Sequence, residues 1–329
     1  MHRPTLEDVA RAAGVGRGTV SRVLNGGSVS ARTRAKVEAA IIECGYEANV
    51  HARSLASGRN NVYAAVLTQP YGELFEDPTF GNMLAGLSSA LTGTEIGLSL
   101  LIATNEDERE RAIRHLDPGR VDGVVHLTPH IDDPILASLN PDLPTVLCDV
   151  IDISRPNLWA VHADDVLGGR LGAQHLVTQG ARTIAIIAGP DDAPSARGRL
   201  DGHREALGNL FRPDLVIASP WGSEGGASAM AALLAREPGI DAVLCASDRQ
   251  AIGAMTVLAT QGRRVPDDVR VVGFDDQAIA ARTQPALTTV RQPITEVGAE
   301  AGRLLHRVLA GEAAASILLP TELVVRASA

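Results

Sequence analysis

Arg199, Trp221, Asp248 and Asp275 lie just beyond short apolar runs, and together they carry the chemistry needed to hold a sugar. Carboxylates and a guanidinium fork bind pairs of neighbouring hydroxyls, while an aromatic ring lies against the apolar face of a pyranose. Asp164 in His162-Ala163-Asp164-Asp165 and Phe80 in Asp77-Pro78-Thr79-Phe80 are weaker members of the same set. Each has a plainer reading. An Asp directly after a strand also serves as a helix N-cap, Trp221 also fits a core, and Arg199 could pair with Asp201 or Glu205 on a solvated helix face.

A second set sits near the beginning of the chain. Arg17 and Arg22 fall on the exposed side of a short helix, where a guanidinium can form a bidentate bond to guanine in a major groove. Thr5, Thr19, Ser21 and Asn25 are short polar groups placed to donate to phosphates, which fixes register without reading sequence. The charge distribution agrees with a polyanion partner. The whole chain of 329 residues carries a net charge of −9, yet its first sixty residues hold nine basic against five acidic side chains, leaving an acidic body.

These groups need elements to position them. In the head, Thr5 caps a first helix that stops at Gly14, a second runs from about Arg17 to Asn25, and a third runs from near Ser30 to Gly45. Ala10, Gly14 and Val20 supply a small contact residue, a turn residue tolerant of positive φ and a branched anchor, the arrangement of a helix-turn-helix. In the body, apolar runs alternate with helical patterns, as in parallel βαβ units. Strands are expected at 62–67, 98–103, 123–127, 145–148, 183–188, 215–218, 242–246 and 270–274, with a last one within 321–326.

Composition excludes other classes. No apolar stretch approaches the roughly 18 residues of a membrane span, and the N-terminus has no export-signal pattern, so a cytoplasmic, nucleoid-associated protein is expected. Cys44, Cys148 and Cys245 are far apart and read as reduced structural thiols. A dehydrogenase would place its glycine cluster after a strand, whereas Gly14-Val15-Gly16-Arg17-Gly18 follows a helix. Gly222-Ser223-Glu224-Gly225-Gly226 follows a strand but lacks a P-loop lysine, so neither an enzyme nor a cofactor is expected. A transport-type sugar-binding protein would carry an export signal and no DNA-binding head.

The string Thr5-Leu6-Glu7-Asp8-Val9-Ala10, with Gly14-Val15 and Thr19-Val20-Ser21-Arg22-Val23-Leu24-Asn25, closely resembles the headpiece of the LacI/GalR family of transcriptional regulators. Asn49-Val50-His51-Ala52-Arg53-Ser54-Leu55 looks like that family's hinge motif, Asn-x-x-Ala-Arg-x-Leu, with Ala48 where the family usually has Pro. The resemblance implies DNA contacts from Thr5, Arg17, Gly18, Thr19, Ser21, Arg22, Asn25, Asn49, Ala52, Arg53 and Leu55, with Leu55 wedged into the minor groove. Gly16 and Gly18 stand where the family commonly has larger side chains, which throws base reading onto Arg17 and Arg22.

It also implies the architecture. An all-α helix-turn-helix headpiece over 1–48 and a hinge over 49–60 precede an α/β periplasmic-binding-protein-like core of two Rossmann-like subdomains over 61–329. One subdomain takes 61–160 and 291–317, the other 161–290 and 318–329. The effector set above matches the family's cleft positions, with Ser247 where an Asn is common. No heptad-bearing helix follows the last strand, so a homodimer on a near-palindromic operator is expected. The function implied is a repressor controlled by a small sugar, with a nucleoside or phosphorylated metabolite as the alternative effector. Gly14 to Thr19 and Leu74-Phe75-Glu76-Asp77-Pro78 look most like the family's cellobiose-responsive branch.

Overall fold

The computed structural model describes residues 4–24, 27–46, 59–149 and 155–329. The chain divides into two compact units, Met1–Asn60 and Asn61–Ala329.

The first unit holds three helices, α1 (Leu6–Ala13), α2 (Arg17–Leu24) and α3 (Ala31–Cys44). Their ends follow from local chemistry. Thr5 and Asp8 form a reciprocal capping box on α1, and Ser30 accepts from Thr33 N to cap α3. Gly14 and Gly45 end α1 and α3 in the left-handed region, where a Cβ would be strained. Val9, Ala10, Val20, Val23, Val37 and Ala40 are buried together, so each helix is fixed mainly by the small apolar face it turns inward.

The second unit holds two six-stranded sheets. The first has the order β11-β5-β4-β3-β1-β2, from β1 (Val62–Leu67), β2 (Gly97–Ile102), β3 (Gly123–His126), β4 (Thr145–Leu147), β5 (Leu158–Ala163) and β11 (Ile317–Leu319), all parallel. The second has the order β12-β10-β9-β8-β6-β7, from β6 (Ile184–Ala188), β7 (Val216–Ala218), β8 (Ala242–Cys245), β9 (Arg270–Asp275), β10 (Thr288–Arg291) and β12 (Glu322–Val324). Only β12 runs antiparallel to its neighbour there. The chain therefore passes between subdomains three times, after Ala163, after Arg291 and after Leu319. Strands such as Ile184–Ala188 and Ala242–Cys245 are buried along their whole length because helices cover both faces of the sheets.

Three helix pairs cross at glycines on both partners. Gly86 of Pro78–Ala90 faces Thr295 and Ala299, and Gly298 of Ile294–Leu309 faces Met83; a Cβ at Gly298 would lie 2.0 Å from Met83 O. Gly169 and Gly202 pair Asp165–Thr178 with Pro194–Leu207, and Gly226 and Gly253 pair Ser223–Arg236 with Asp248–Thr260. Backbones in such close approach leave no space for a side chain.

Candidate functional site

A cleft between the two subdomains is lined from both sides, by Phe80, His130 and Asp149 from the first and by Arg199, Trp221 and Asp275 from the second. Arg199 organises the second wall. Its Nε donates to Asp165 Oδ1 at 2.8 Å, and its Nη1 donates to Ala246 O at 2.5 Å and to Asp275 Oδ1 at 3.3 Å. The guanidinium lies over Phe274, 3.8 Å from the ring centroid, and 5.3 Å from the centroid of Trp221. Two carboxylates and two rings thus hold a cation that is almost fully buried.

Electrostatics at this cluster pull in opposite directions. Burial raises the pKa of Asp165 and of Asp275, against the stabilising field of Arg199. Burial works against the charged form of Arg199 as well, but Asp165 and Asp275 outweigh it and hold the guanidinium above its ordinary value. His203, one helical turn on, is pushed down to about 3, first by burial and then by Arg199, which keeps it neutral. Gln292 Nε2 donates to Asp275 Oδ1 at 2.6 Å, and Asp275 adopts a φ of 110°, an uncommon conformation for a residue with a side chain.

The first unit presents a separate surface. Arg17 and Arg22 are exposed on α2; Arg17 pairs with Glu7 at 3.0 Å, and Arg22 Nε reaches Gly18 O at 3.2 Å. Nothing lies within 4 Å of where a Cβ at Gly16 or Gly18 would be, so this end of the helix offers bare backbone to a partner.

A profile of the lacI family of bacterial regulatory proteins matches residues 5–49, and a profile of the periplasmic binding protein-like domain matches 173–329. The HTH-type transcriptional regulator CelR of Thermobifida fusca is 40% identical, over 99% of this chain and 98% of that protein. The chain belongs to the lacI family of bacterial regulatory proteins. The ribose operon repressor of Escherichia coli K12 is 33% identical over 92% of this chain and 93% of its own length. Among solved structures, a transcriptional regulator CelR–cellobiose complex matches with a TM-score of 0.79 and 38% identity over 99% of this chain and 100% of that one. The lac repressor dimer bound to operator and the anti-inducer ONPF matches with a TM-score of 0.84 and 32% identity, over 99% of each chain. This lacI-family chain is accordingly a DNA-binding transcriptional regulator and not an enzyme. Among its described residues no helix is long and apolar enough to cross a membrane.

Within the regulator, Phe80, Arg199, Trp221 and Asp275 come together in the cleft. Two expected members do not. Asp164 is the N-cap of Asp165–Thr178 and accepts from Leu167 N at 2.9 Å, so its neighbour Asp165 is the residue that faces the cleft. Asp248 is fully buried behind the wall, accepting from Gln277 N at 2.7 Å and from Thr289 Oγ1 at 2.5 Å. The solvated partners suggested for Arg199 are engaged elsewhere, Asp201 with Arg204 and Glu205 with Arg170. Ser247 caps its helix by accepting from Gln250 N and donates to Trp221 O, which seats the loop that carries the indole.

In the headpiece, Thr5 Oγ1 donates to Asp8 Oδ2 at 2.7 Å and accepts from Asp8 N, so this hydroxyl serves the helix cap instead of a phosphate. Thr19 and Ser21 are half-buried beside the exposed Gly18. Asn25, Asn49, Ala52, Arg53 and Leu55 lie outside the described residues. Sequence reasoning missed Gln69, Asp77, His130, Asp149, Asp165 and Gln292 on the cleft walls. Of these only Asp165 and Asp77 stood inside strings already singled out.

Proposed function

We propose that this regulator is a homodimeric cytoplasmic repressor on a near-palindromic operator, released when a β-linked glucose disaccharide such as cellobiose enters the cleft. The observation that carries the reading is the Arg199 cluster. A guanidinium held by Asp165 and Asp275 beside the Trp221 ring supplies both the hydroxyl-binding polar groups and the stacking face that a pyranose needs. Among the described residues Asp77, Asp149, Asp165 and Asp275 line the cleft against one arginine, a charge balance that favours a neutral polyol over a phosphorylated metabolite. Similarity over nearly the whole chain to a regulator solved with cellobiose supports the choice of disaccharide. Release would follow from linkage: a ligand that favours one arrangement of the subdomains draws the protein away from the DNA-binding one.

The test has two steps. Operator sequences are selected from a random duplex pool with the purified protein, and the labelled complex is then titrated with cellobiose, glucose, glucose 6-phosphate and a nucleoside. Release by cellobiose at concentrations that leave the complex with glucose 6-phosphate intact supports the reading. Release only by the phosphate or the nucleoside overturns it. Leu55→Ala should weaken the operator complex while leaving cellobiose binding unchanged, and unaltered DNA affinity would remove Leu55 from the interface.

A further inference from the structure

The first-subdomain wall of the cleft carries a hydrogen-bonded relay that the Arg199 cluster does not use. Gln69 follows β1 and His130 follows β3, whereas Asp192 follows β6 in the other subdomain. His130 Nδ1 is 3.0 Å from Asp192 Oδ2, and His130 Nε2 is 2.9 Å from Gln69 Nε2. Ile131 N donates to Asp192 O at 2.9 Å, so the backbone holds the two loops in register. Gln69 and His130 both line the cleft, and Gln69 is buried.

The polarity of the relay follows from its acceptor end. An ionised carboxylate can only accept, so an imidazole that bears a single hydrogen and bonds to such a carboxylate through Nδ1 carries that hydrogen on Nδ1. Its Nε2 is then a bare acceptor, and the only group Gln69 can offer it is an amide N–H. With the NH2 turned to His130, the amide presents Oε1 to whatever occupies the cleft. We propose that His130 is a positioning residue which, held by Asp192 from across the cleft, fixes the Gln69 amide so that Oε1 accepts from a ligand hydroxyl. This rests on the saccharide reading above. When the subdomains part, Asp192 leaves the imidazole, the other tautomer becomes available and the amide is released to turn. The acceptor is thus set only when the subdomains meet, which ties hydroxyl recognition to closure.

Two measurements test it, the first without any ligand. Imidazole nitrogen shifts of the ¹⁵N-labelled protein, with His130 assigned by its loss in His130→Ala, should show the Nδ1–H tautomer, and Asp192→Ala, which removes the acceptor, should move it towards Nε2–H. An Nε2–H tautomer in the unaltered protein overturns the relay. The second is calorimetry with cellobiose on variants whose melting has been checked against the parent. Gln69→Ala and His130→Ala should each weaken binding about tenfold, the scale of one lost hydrogen bond. The double variant should be no weaker than Gln69→Ala alone, because His130 acts through the amide. Additive losses, about a hundredfold in the double variant, would overturn positioning. If the parent protein binds neither cellobiose nor another disaccharide, the saccharide reading fails, and the tautomer still decides the polarity of the relay.

Discussion

Asp248→Asn separates a buried brace from a ligand contact, and its effect on stability can be worked out from the geometry. Burial pushes the Asp248 carboxyl up from an ordinary 3.8 to about 7, opposed by the hydrogen bonds from Thr289 and Gln277. Folding therefore raises this pKa, and the folded state holds the proton more tightly than the unfolded chain does. Below pH 3.8 the group contributes its full stability. Between there and pH 7 the unfolded chain ionises first, and stability falls by about 1.4 kcal/mol per pH unit, about 4 kcal/mol in all. Asparagine keeps both partners: its Oδ1 can accept from Gln277 N, and its NH2 can donate to Thr289 Oγ1. The chain's two tryptophans, Trp159 and Trp221, both belong to the core, so their fluorescence in urea reports core unfolding and not the headpiece. The variant should match the parent near pH 4 and exceed it by up to about 4 kcal/mol near pH 8, with cellobiose affinity little changed. Parallel stability curves from pH 4 to 8 would refute the reasoning.

Arg199→Ala leaves Asp165 and Asp275 buried without their cation, so the core should lose about 3–5 kcal/mol in urea at neutral pH. The deficit should shrink on acidification as the two carboxyls take up protons, and fluorescence anisotropy should show DNA binding kept and the ligand response lost. Arg22→Ala should cost about 1–3 kcal/mol on selected operator with little change on random DNA at the same salt; equal losses on both would make Arg22 a phosphate contact. Gly298→Ala drives a Cβ to 2.0 Å from Met83 O and should lower core stability by at least about 1–3 kcal/mol, visible as a lower calorimetric midpoint.

The headpiece was legible because its signals are local: Thr5 with Asp8, Ser30 with Thr33, and Gly14 and Gly45 at the helix ends all act within one turn. Strands made of uninterrupted apolar residues, such as Ile184–Ala188, were legible for the same reason. Leu158–Ala163, Thr288–Arg291 and Ile317–Leu319 did not stand out as apolar runs, since His162 interrupts the first, three of the four residues of the second are polar and the third has three residues. In the site, Arg199, Trp221 and Asp275 could be found by type and position after strands. The choice between Asp164 and Asp165 could not, because one step along a helix start turns a side chain by about 100° and exchanges cap for cleft. Gln69, His130 and Asp192 meet through three separate loops, and nothing in their local sequence marks the meeting.

The third passage between subdomains has a consequence for the order of synthesis. The second sheet is completed by Glu322–Val324, and Ser328 ties β9 to β10 by donating to Val271 O and accepting from Thr288 N. While a ribosome is still making these residues, β10 has an unpaired edge and the second sheet is one strand short. The headpiece, a compact unit drawn from the first sixty residues, can assemble long before. Each nascent chain thus passes through an interval in which the reader of DNA exists without the finished sensor that governs it, and the pairing of Glu322–Val324 with β10 brings the two under one control.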